Sequence, residues 1–79
     1  MTKQLFLFSS DGCHLCEEAL ALCHQLPEPV ALSVVDIVEF EDLVASYGDK
    51  IPVIQRDSDG LELFWPFSQQ ELNQFVQEY

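Results

Sequence analysis

The sequence predicts an α/β domain in which a four-stranded mixed sheet is flanked by three helices, in the order β-α-β-α-β-β-α. Three observations indicate this: short apolar runs of strand length, longer stretches with apolar residues at helical spacing, and turn residues between them. We expect the 79 residues, 1–79, to form a single domain with a small core. A hydrophobic content of 48% argues against disorder.

The first strand and the first helix are predicted on either side of a tight turn. Residues 5–8 are wholly apolar and long enough for one buried strand, and residues 9–12 read Ser-Ser-Asp-Gly, a turn sequence. From residue 15 to residue 26 apolar side chains recur at helical spacing, and Pro27 and Pro29 end the helix. Because the first strand is apolar on both sides, helices must cover both faces of the sheet.

The middle of the chain predicts a strand, a short helix and a hairpin. Residues 30–37 are rich in β-branched side chains and should pair in parallel with the first strand through a right-handed crossover. Residues 39–47 suit a short helix closed by Gly48. Residues 53–56 and 61–65 flank an Asp-Ser-Asp-Gly turn, which is typical of two antiparallel strands.

The last helix has a clear start signal. Ser68 and Glu71 have the spacing of a capping box, and Phe67 can pack against Leu72 as a hydrophobic staple. One apolar face is predicted for this helix, formed by Leu72, Phe75, Val76 and Tyr79.

Cys13 and Cys16 lie three residues apart at the corner between the first strand and the first helix. Free backbone N–H groups and the positive end of the helix dipole favour a thiolate there. A free cysteine titrates near about 8.5, and such positions lower the pKa to roughly 3.5–7.5. The pair is therefore a candidate dithiol that opens and closes as a disulfide; the alternative is two ordinary buried cysteines.

This order of elements, with Cys13 and Cys16 after the first strand and Ile51-Pro52-Val53 before the third, resembles the thioredoxin fold. Within that fold, the chain resembles the glutaredoxin-like family in its short length and in lacking an extra N-terminal strand. The resemblance covers essentially the whole chain. It implies a thiol–disulfide oxidoreductase that reduces protein or small-molecule disulfides through a mixed disulfide. Cys13, nearer to solvent, would be the nucleophile and Cys16 the resolving thiol.

The same resemblance implies a role for Pro52. A cis bond between Ile51 and Pro52 beside the dithiol would leave the backbone groups of Ile51 free to pair with an extended substrate. The alternative is a trans proline that opens an edge strand.

The chain also departs from glutaredoxins that use glutathione. Those proteins carry a basic residue shortly before the first cysteine, whereas residues 9–12 contain none. Many also have Gly-Gly-Asp before the last helix, where this chain has Trp65-Pro66-Phe67-Ser68. The start of that helix could still receive a carboxylate. We expect no cofactor, and we expect glutathione to serve poorly.

The remaining candidate residues have two interpretations each. His14 could stabilise a thiolate as a cation, or be a solvated linker residue. Cys23 is expected to be a small buried hydrophobe, the alternative being a redox role, and His24 is expected on the solvated side of the helix. Trp65 and Phe67 are expected in core and staple packing, although they could border the groove beside the dithiol.

The formal charge of −11 restricts the partners. Only Lys3, Lys50 and Arg56 are basic, which excludes nucleic-acid binding because phosphates could not be neutralised. The acidity serves solubility or steers the chain toward a basic partner protein. No apolar stretch approaches the roughly 20 residues of a membrane span, and we expect no signal peptide, a cytoplasmic location and a monomer.

Two further functions remain open at this stage. A thioredoxin-fold module could bind or sense redox state without turnover. A metal or iron–sulfur carrier could use the dithiol, and an iron–sulfur cluster would have to be shared between two chains. Cys13, His14 and Cys16 lack the second ligand pair of a zinc site, so no metal is expected. The expected partner is a disulfide-containing substrate, most simply a protein, with a reductant that the sequence does not identify.

Overall fold

The structure is a computed structural model that describes residues 2–79, and it has the predicted α/β architecture of four strands and three α-helices. The sheet has the strand order β2-β1-β3-β4. The elements are β1 (Lys3–Ser9), α1 (His14–His24), β2 (Val30–Asp36), α2 (Glu41–Tyr47), β3 (Val53–Arg56), β4 (Glu62–Phe64) and α3 (Gln69–Gln77).

Strand β1 lies in the middle of the sheet. It pairs in parallel with β2, where Leu5 lies opposite Leu32, and antiparallel with β3, where Leu7 lies opposite Ile54. Strand β4 completes the sheet as the antiparallel partner of β3. The carboxyl end of β1, which leads to the cysteines, therefore emerges between two neighbouring strands.

Both faces of the sheet are covered, as the apolar character of β1 predicts. The larger cluster packs α1 and α3 on one face, and the smaller cluster lies on the other face, where Phe8 stacks on Tyr47 with ring centroids 4.7 Å apart. Helix α2 itself has no buried residue, so this second cover is thin. The buried members of the larger cluster are Leu5, Leu7, Ala19, Cys23, Ile54, Phe67, Leu72 and Val76.

The region after β2 differs from the prediction of one helix over residues 39–47. The Asp36 carboxylate accepts the N–H of Val38 at 3.0 Å and starts a 3-10 turn over Ile37–Glu39. Phe40 then returns to an extended conformation, and α2 begins only at Glu41. The strand-end cap thus separates the two helical segments.

Gly48 ends α2 as predicted, but for a different physical reason. Its φ is −51°, so the helix does not end in a left-handed residue. A Cβ atom at this position would lie 2.6 Å from the carbonyl oxygen of Val44. Glycine is needed here because the backbone approaches too closely for a side chain.

The start of α3 agrees with its sequence signal. The Ser68 hydroxyl accepts the N–H of Glu71 at 3.1 Å, and the Glu71 carboxylate accepts the N–H of Ser68 at 3.0 Å. Phe67 and Leu72 are buried in the same cluster. The capping box and the staple therefore fix where the chain turns into α3 after β4.

Two of the three basic side chains are used within the fold. Lys3 lies 3.0 Å from the Glu28 carboxylate and donates to the Val76 carbonyl at 2.9 Å. Arg56 is only 4% exposed; it is paired with Asp59 and donates to the Phe75 carbonyl at 3.0 Å.

Within residues 2–79, each helix is too short or too polar to traverse a bilayer.

Candidate active site at the start of helix α1

The two cysteines are placed by a turn between β1 and α1. Gly12 has a φ of +77°, which lets the chain reverse there without the steric cost a side chain would add. The N–H of Cys13 donates to the Ser10 carbonyl at 3.2 Å, and Cys13 is the N-cap residue of α1. The thiol of Cys13 therefore lies where the helix leaves its first N–H groups without intrahelical partners.

Cys13 and Cys16 are joined as a disulfide, with their Cα atoms 5.2 Å apart. Cys16 is 5% exposed, whereas Cys13 is half-buried. The Cys13 Sγ atom accepts the backbone N–H of Cys16 at 3.2 Å. In the reduced protein such a donor stabilises a thiolate at Cys13, because a hydrogen bond to the charged form favours it.

His14 lies on the outer surface of the corner. Its side chain is 84% exposed, with Nδ1 at 3.8 Å from a Glu17 carboxylate oxygen and Nε2 at 4.0 Å from a Glu18 carboxylate oxygen. If the imidazole were protonated, these two carboxylates would balance its positive charge. This arrangement favours the solvated-linker interpretation of His14 over that of a thiolate stabiliser.

The loop before β3 has a cis peptide bond between Ile51 and Pro52, and Pro52 is fully buried. The N–H of Ile51 donates to the Tyr47 carbonyl at 3.2 Å, so the expectation that this N–H is free is wrong. The Ile51 carbonyl has no hydrogen-bond donor among residues 2–79. The Pro52 carbonyl accepts the N–H of Trp65 at 3.3 Å, which ties this loop to the end of β4.

A cleft of about 290 Å³ opens beside the disulfide, toward β2. Both cysteines line it, together with the carboxylates of Asp11, Glu17 and Asp36. Among residues 2–79, no lysine, arginine or histidine lines this dithiol cleft. Its charge is therefore uniformly negative.

A second groove, of about 560 Å³, opens on the side of β3 and β4. It is lined by Leu15, which lies between the two cysteines, and by Ile51 from the loop before Pro52. The groove thus joins the segment between the two cysteines to the loop before Pro52, although neither cysteine lines it. The other lining residues are Asp49, Lys50, Phe64 and Trp65.

Lys50 and Trp65 are the site residues that sequence reasoning missed or left undecided. Trp65 is half-buried and packs edge-on against Phe67, with ring centroids 5.0 Å apart, but it also forms a wall of the groove. Lys50 could have been found from its position, because it directly precedes the Ile51-Pro52 step. No carboxylate from residues 2–79 lies within 4.0 Å of its ammonium group.

Cys23 is buried as predicted, at 4% exposure, and remains a free thiol. Burial raises the pKa of Cys23 to about 11. His24 is exposed, also as predicted. In the part of the chain that the structure describes, no three His, Cys, Asp or Glu side chains are grouped as metal ligands.

The comparison with known proteins agrees with this geometry. Residues 4–77 match the family model described as "Glutaredoxin-like domain (DUF836)". The chain belongs to this glutaredoxin-like family. No curated protein matches the chain significantly.

Solved structures similar to this glutaredoxin-like chain share its fold. The crystal structure of target protein XcR50 from X. campestris is 32% identical, with a TM-score of 0.84, covering 95% of this chain and 97% of that chain. Protein Ne2328 from Nitrosomonas europaea is 27% identical, with a TM-score of 0.80, covering 95% and 92%. A malarial protein at 17% identity and a TM-score of 0.66 shows the fold alone.

The predicted family and the thioredoxin-like fold are therefore confirmed. A glutaredoxin-like domain with Cys13 and Cys16 at disulfide distance indicates a redox-related function.

Proposed function

We propose that this protein is a thiol–disulfide oxidoreductase in which Cys13 attacks the substrate disulfide and Cys16 resolves the resulting mixed disulfide. The observation that supports this is the asymmetry of the pair. Cys13 is the more exposed thiol, lies at the N-cap of α1 and accepts the Cys16 N–H at 3.2 Å. Cys16 is buried one helical turn further on, within disulfide distance of Cys13.

The reaction consists of two thiol–disulfide exchanges. The Cys13 thiolate attacks one sulfur of a substrate disulfide, forms a mixed disulfide and releases the other substrate sulfur as a thiolate, which takes up a proton. Deprotonated Cys16 then attacks the Cys13 sulfur, and the second substrate thiolate leaves. The substrate gains two electrons, and the protein is left with the Cys13–Cys16 disulfide.

A thiol reductant must return these two electrons to the protein. No cofactor is needed for either exchange, since all bonds that form and break join sulfur atoms. We propose that glutathione performs this step poorly, because the chain carries a charge of −11 and residues 9–12, directly before Cys13, contain no basic residue.

The Ile51 carbonyl is proposed to hold an extended substrate beside Cys13. It lies on the groove shared with Leu15 and has no donor among residues 2–79, so a backbone N–H of the substrate can bind it. Only one such bond is available from Ile51, because its own N–H is used by Tyr47.

The test is a trapping experiment with matched variants. Cys16→Ser should accumulate a mixed disulfide with a model disulfide substrate through Cys13, whereas Cys13→Ser should not react. Cys23→Ala is the control and should turn over like the wild type when a dithiol reductant is supplied. Trapping by Cys13→Ser at the rate of Cys16→Ser would refute the assigned roles, and a wild type without turnover would favour a binding or sensing module.

A further inference from the structure

The groove on the β3–β4 side of the dithiol has the character of a side-chain pocket. Its walls include Leu15 and Phe64, which are 43% and 45% exposed, and the ring of Trp65. Leu15 directly precedes Cys16 in the chain, so a side chain seated here would belong to a residue close to the substrate's reactive cysteine. We call the groove formed by Leu15, Asp49, Lys50, Ile51, Phe64 and Trp65 the Trp65 groove.

Trp65 is held in place before any ligand binds. Its backbone N–H donates to the Pro52 carbonyl at 3.3 Å, and its ring packs on Phe67 at an interplanar angle of 77°. Phe67 is itself only 5% exposed, so the indole rests on the core. A wall fixed in this way costs little conformational entropy when an apolar group binds against it.

Charge identifies the kind of partner. The chain carries −11, and two of its three basic side chains, Lys3 and Arg56, are already paired with carboxylates. Within the Trp65 groove, Lys50 and Asp49 carry opposite charges, so the groove has no net charge. On the other side of the disulfide, the charged side chains that line the dithiol cleft are all carboxylates, so the surface around Cys13 attracts cations.

Resting on the proposed function, we propose that the substrate is a disulfide in an extended segment of a basic protein. An apolar side chain next to the reactive cysteine enters the Trp65 groove, and basic side chains face the dithiol cleft. The dithiol cleft includes residues of β2 and the Trp65 groove includes residues at the end of β4, on opposite sides of β1 in the sheet, and in this proposal the substrate strand crosses the disulfide and contacts both. The chemistry is the pair of sulfur exchanges given above.

Four synthetic peptides test this proposal. Each has one cysteine activated as a mixed disulfide with thionitrobenzoate, whose release is followed by its absorbance in a single turnover of the reduced protein. The residue beside the cysteine is Phe or Ser, and the flanking residues are Lys or Glu, so that apolar and charge effects are measured separately. The variants are Trp65→Ala and, as control, Phe40→Ala, an equally apolar residue that is 50% exposed and does not line the groove.

We expect wild type and Phe40→Ala to prefer Phe over Ser by about tenfold, the usual discrimination by a hydrophobic pocket. In Trp65→Ala the preference should fall to about twofold or less. Lys peptides should react faster than Glu peptides at low salt, and this difference should shrink as salt is added. An equal rate for Phe and Ser peptides in the wild type, an unchanged preference in Trp65→Ala, or faster Glu peptides would each overturn the proposal.

A second readout does not depend on Trp65→Ala being stable. Trp65 is the only tryptophan in the chain, so its fluorescence reports on the groove directly. In Cys16→Ser, a trapped Phe peptide should shift the emission, whereas a trapped Ser peptide should leave it close to that of the free variant. Identical spectra for the two adducts would overturn the groove assignment.

The proposed function has its own separate outcome in these experiments. If wild type reduces a small disulfide without flanking residues but shows no preference among the peptides, only the substrate assignment fails. If it reduces neither, the oxidoreductase proposal itself fails.

Discussion

The burial of Cys23 predicts that the thiols of the reduced protein differ strongly in reactivity. The experiment reduces the protein fully and then exposes it to a short pulse of iodoacetamide under native conditions. Only a thiolate reacts, so the labelling rate of each cysteine follows its ionised fraction and its access to solvent. Cys13 should be labelled first, because it is the most exposed of the three thiols and lies at the N-cap of α1.

The expected size of the effect follows from the pKa of Cys23. At a pH of about 7.5, a thiol with the ordinary pKa of about 8.5 is about 10% ionised. With a pKa of about 11, Cys23 is about 0.03% ionised at that pH. Its ionised fraction is therefore about 300-fold smaller than that of an ordinary thiol. A thiolate of higher pKa is the stronger nucleophile and offsets part of this difference, so the labelling of Cys23 should be at least about tenfold slower, and its 4% exposure slows the reaction further.

The assay is mass spectrometry of the peptides after the pulse, repeated over a range of pH. Below its pKa of about 11, the Cys23 rate should rise about tenfold per pH unit, whereas the Cys13 rate should level off at lower pH. Cys23→Ala should leave the Cys13 rate unchanged, and labelling in denaturant should bring all three rates together. Native labelling of Cys23 as fast as Cys13, or a Cys23 rate that levels off near neutral pH, would refute this reasoning.

Further predictions concern the disulfide and the pH dependence of stability. Peptide mapping of the oxidised protein should find Cys13 bonded to Cys16 and Cys23 as a thiol; a disulfide to Cys23 would contradict this. Burial raises the pKa of Cys23 in the folded state, so folding favours the neutral thiol. The contribution of this thiol to the free energy of unfolding is complete below the ordinary thiol pKa of about 8.5 and is lost as the pH rises through about 11. The urea midpoint should therefore fall over that range, and less so in Cys23→Ala. The hydrogen bond from Arg56 lowers the pKa of Asp59, so this carboxylate stabilises the fold above the ordinary aspartate pKa of about 3.9 and loses that effect as the pH falls through its lowered value. Asp59→Asn should thus be less stable than wild type at neutral pH, with a difference that narrows in acid, while exposed Asp57→Asn serves as the control.

The order of the elements and the placement of the cysteines followed from local signals in the sequence. The apolar run of β1, the turn at Gly12 and the capping box at Ser68 each act over a few residues, so neighbouring residues suffice to predict them. The burial of Cys23 followed in the same way from its helical spacing. The predicted start of the second helix, at residue 39, was wrong. There the Asp36 side chain caps a separate 3-10 turn at the end of β2, and this signal competes with the helical pattern that follows it.

The walls of the Trp65 groove could not be predicted because they depend on contacts between distant parts of the chain. Trp65 approaches Leu15 and Lys50 only because β4 pairs with β3, and β3 with β1. An aromatic residue at the end of a strand also suits the core, so its type alone did not decide between core and groove. The hydrogen bond from the Ile51 N–H to Tyr47 likewise depends on how α2 leads into the loop, which no pattern around Ile51 indicates.

Glutathione and a basic protein disulfide should respond to salt in opposite ways. The tripeptide is an anion approaching a chain of charge −11, and Lys50 is the only lysine or arginine on either groove within residues 2–79. Repulsion between separated charges is largely screened beyond about 10 Å at about 0.1 M ionic strength, so salt should remove it. The absent ion pair before Cys13 cannot be restored by salt. Glutathione-dependent turnover should therefore be slow and improve only modestly as salt is added, whereas a basic protein substrate should react faster and slow down. The test measures glutathione-dependent turnover of this protein and of an ordinary glutaredoxin in parallel. Equal rates for the two proteins at low salt would show that the reasoning from charge is wrong. If Lys50→Gln then lost this activity, Lys50 would be the residue that contacts glutathione.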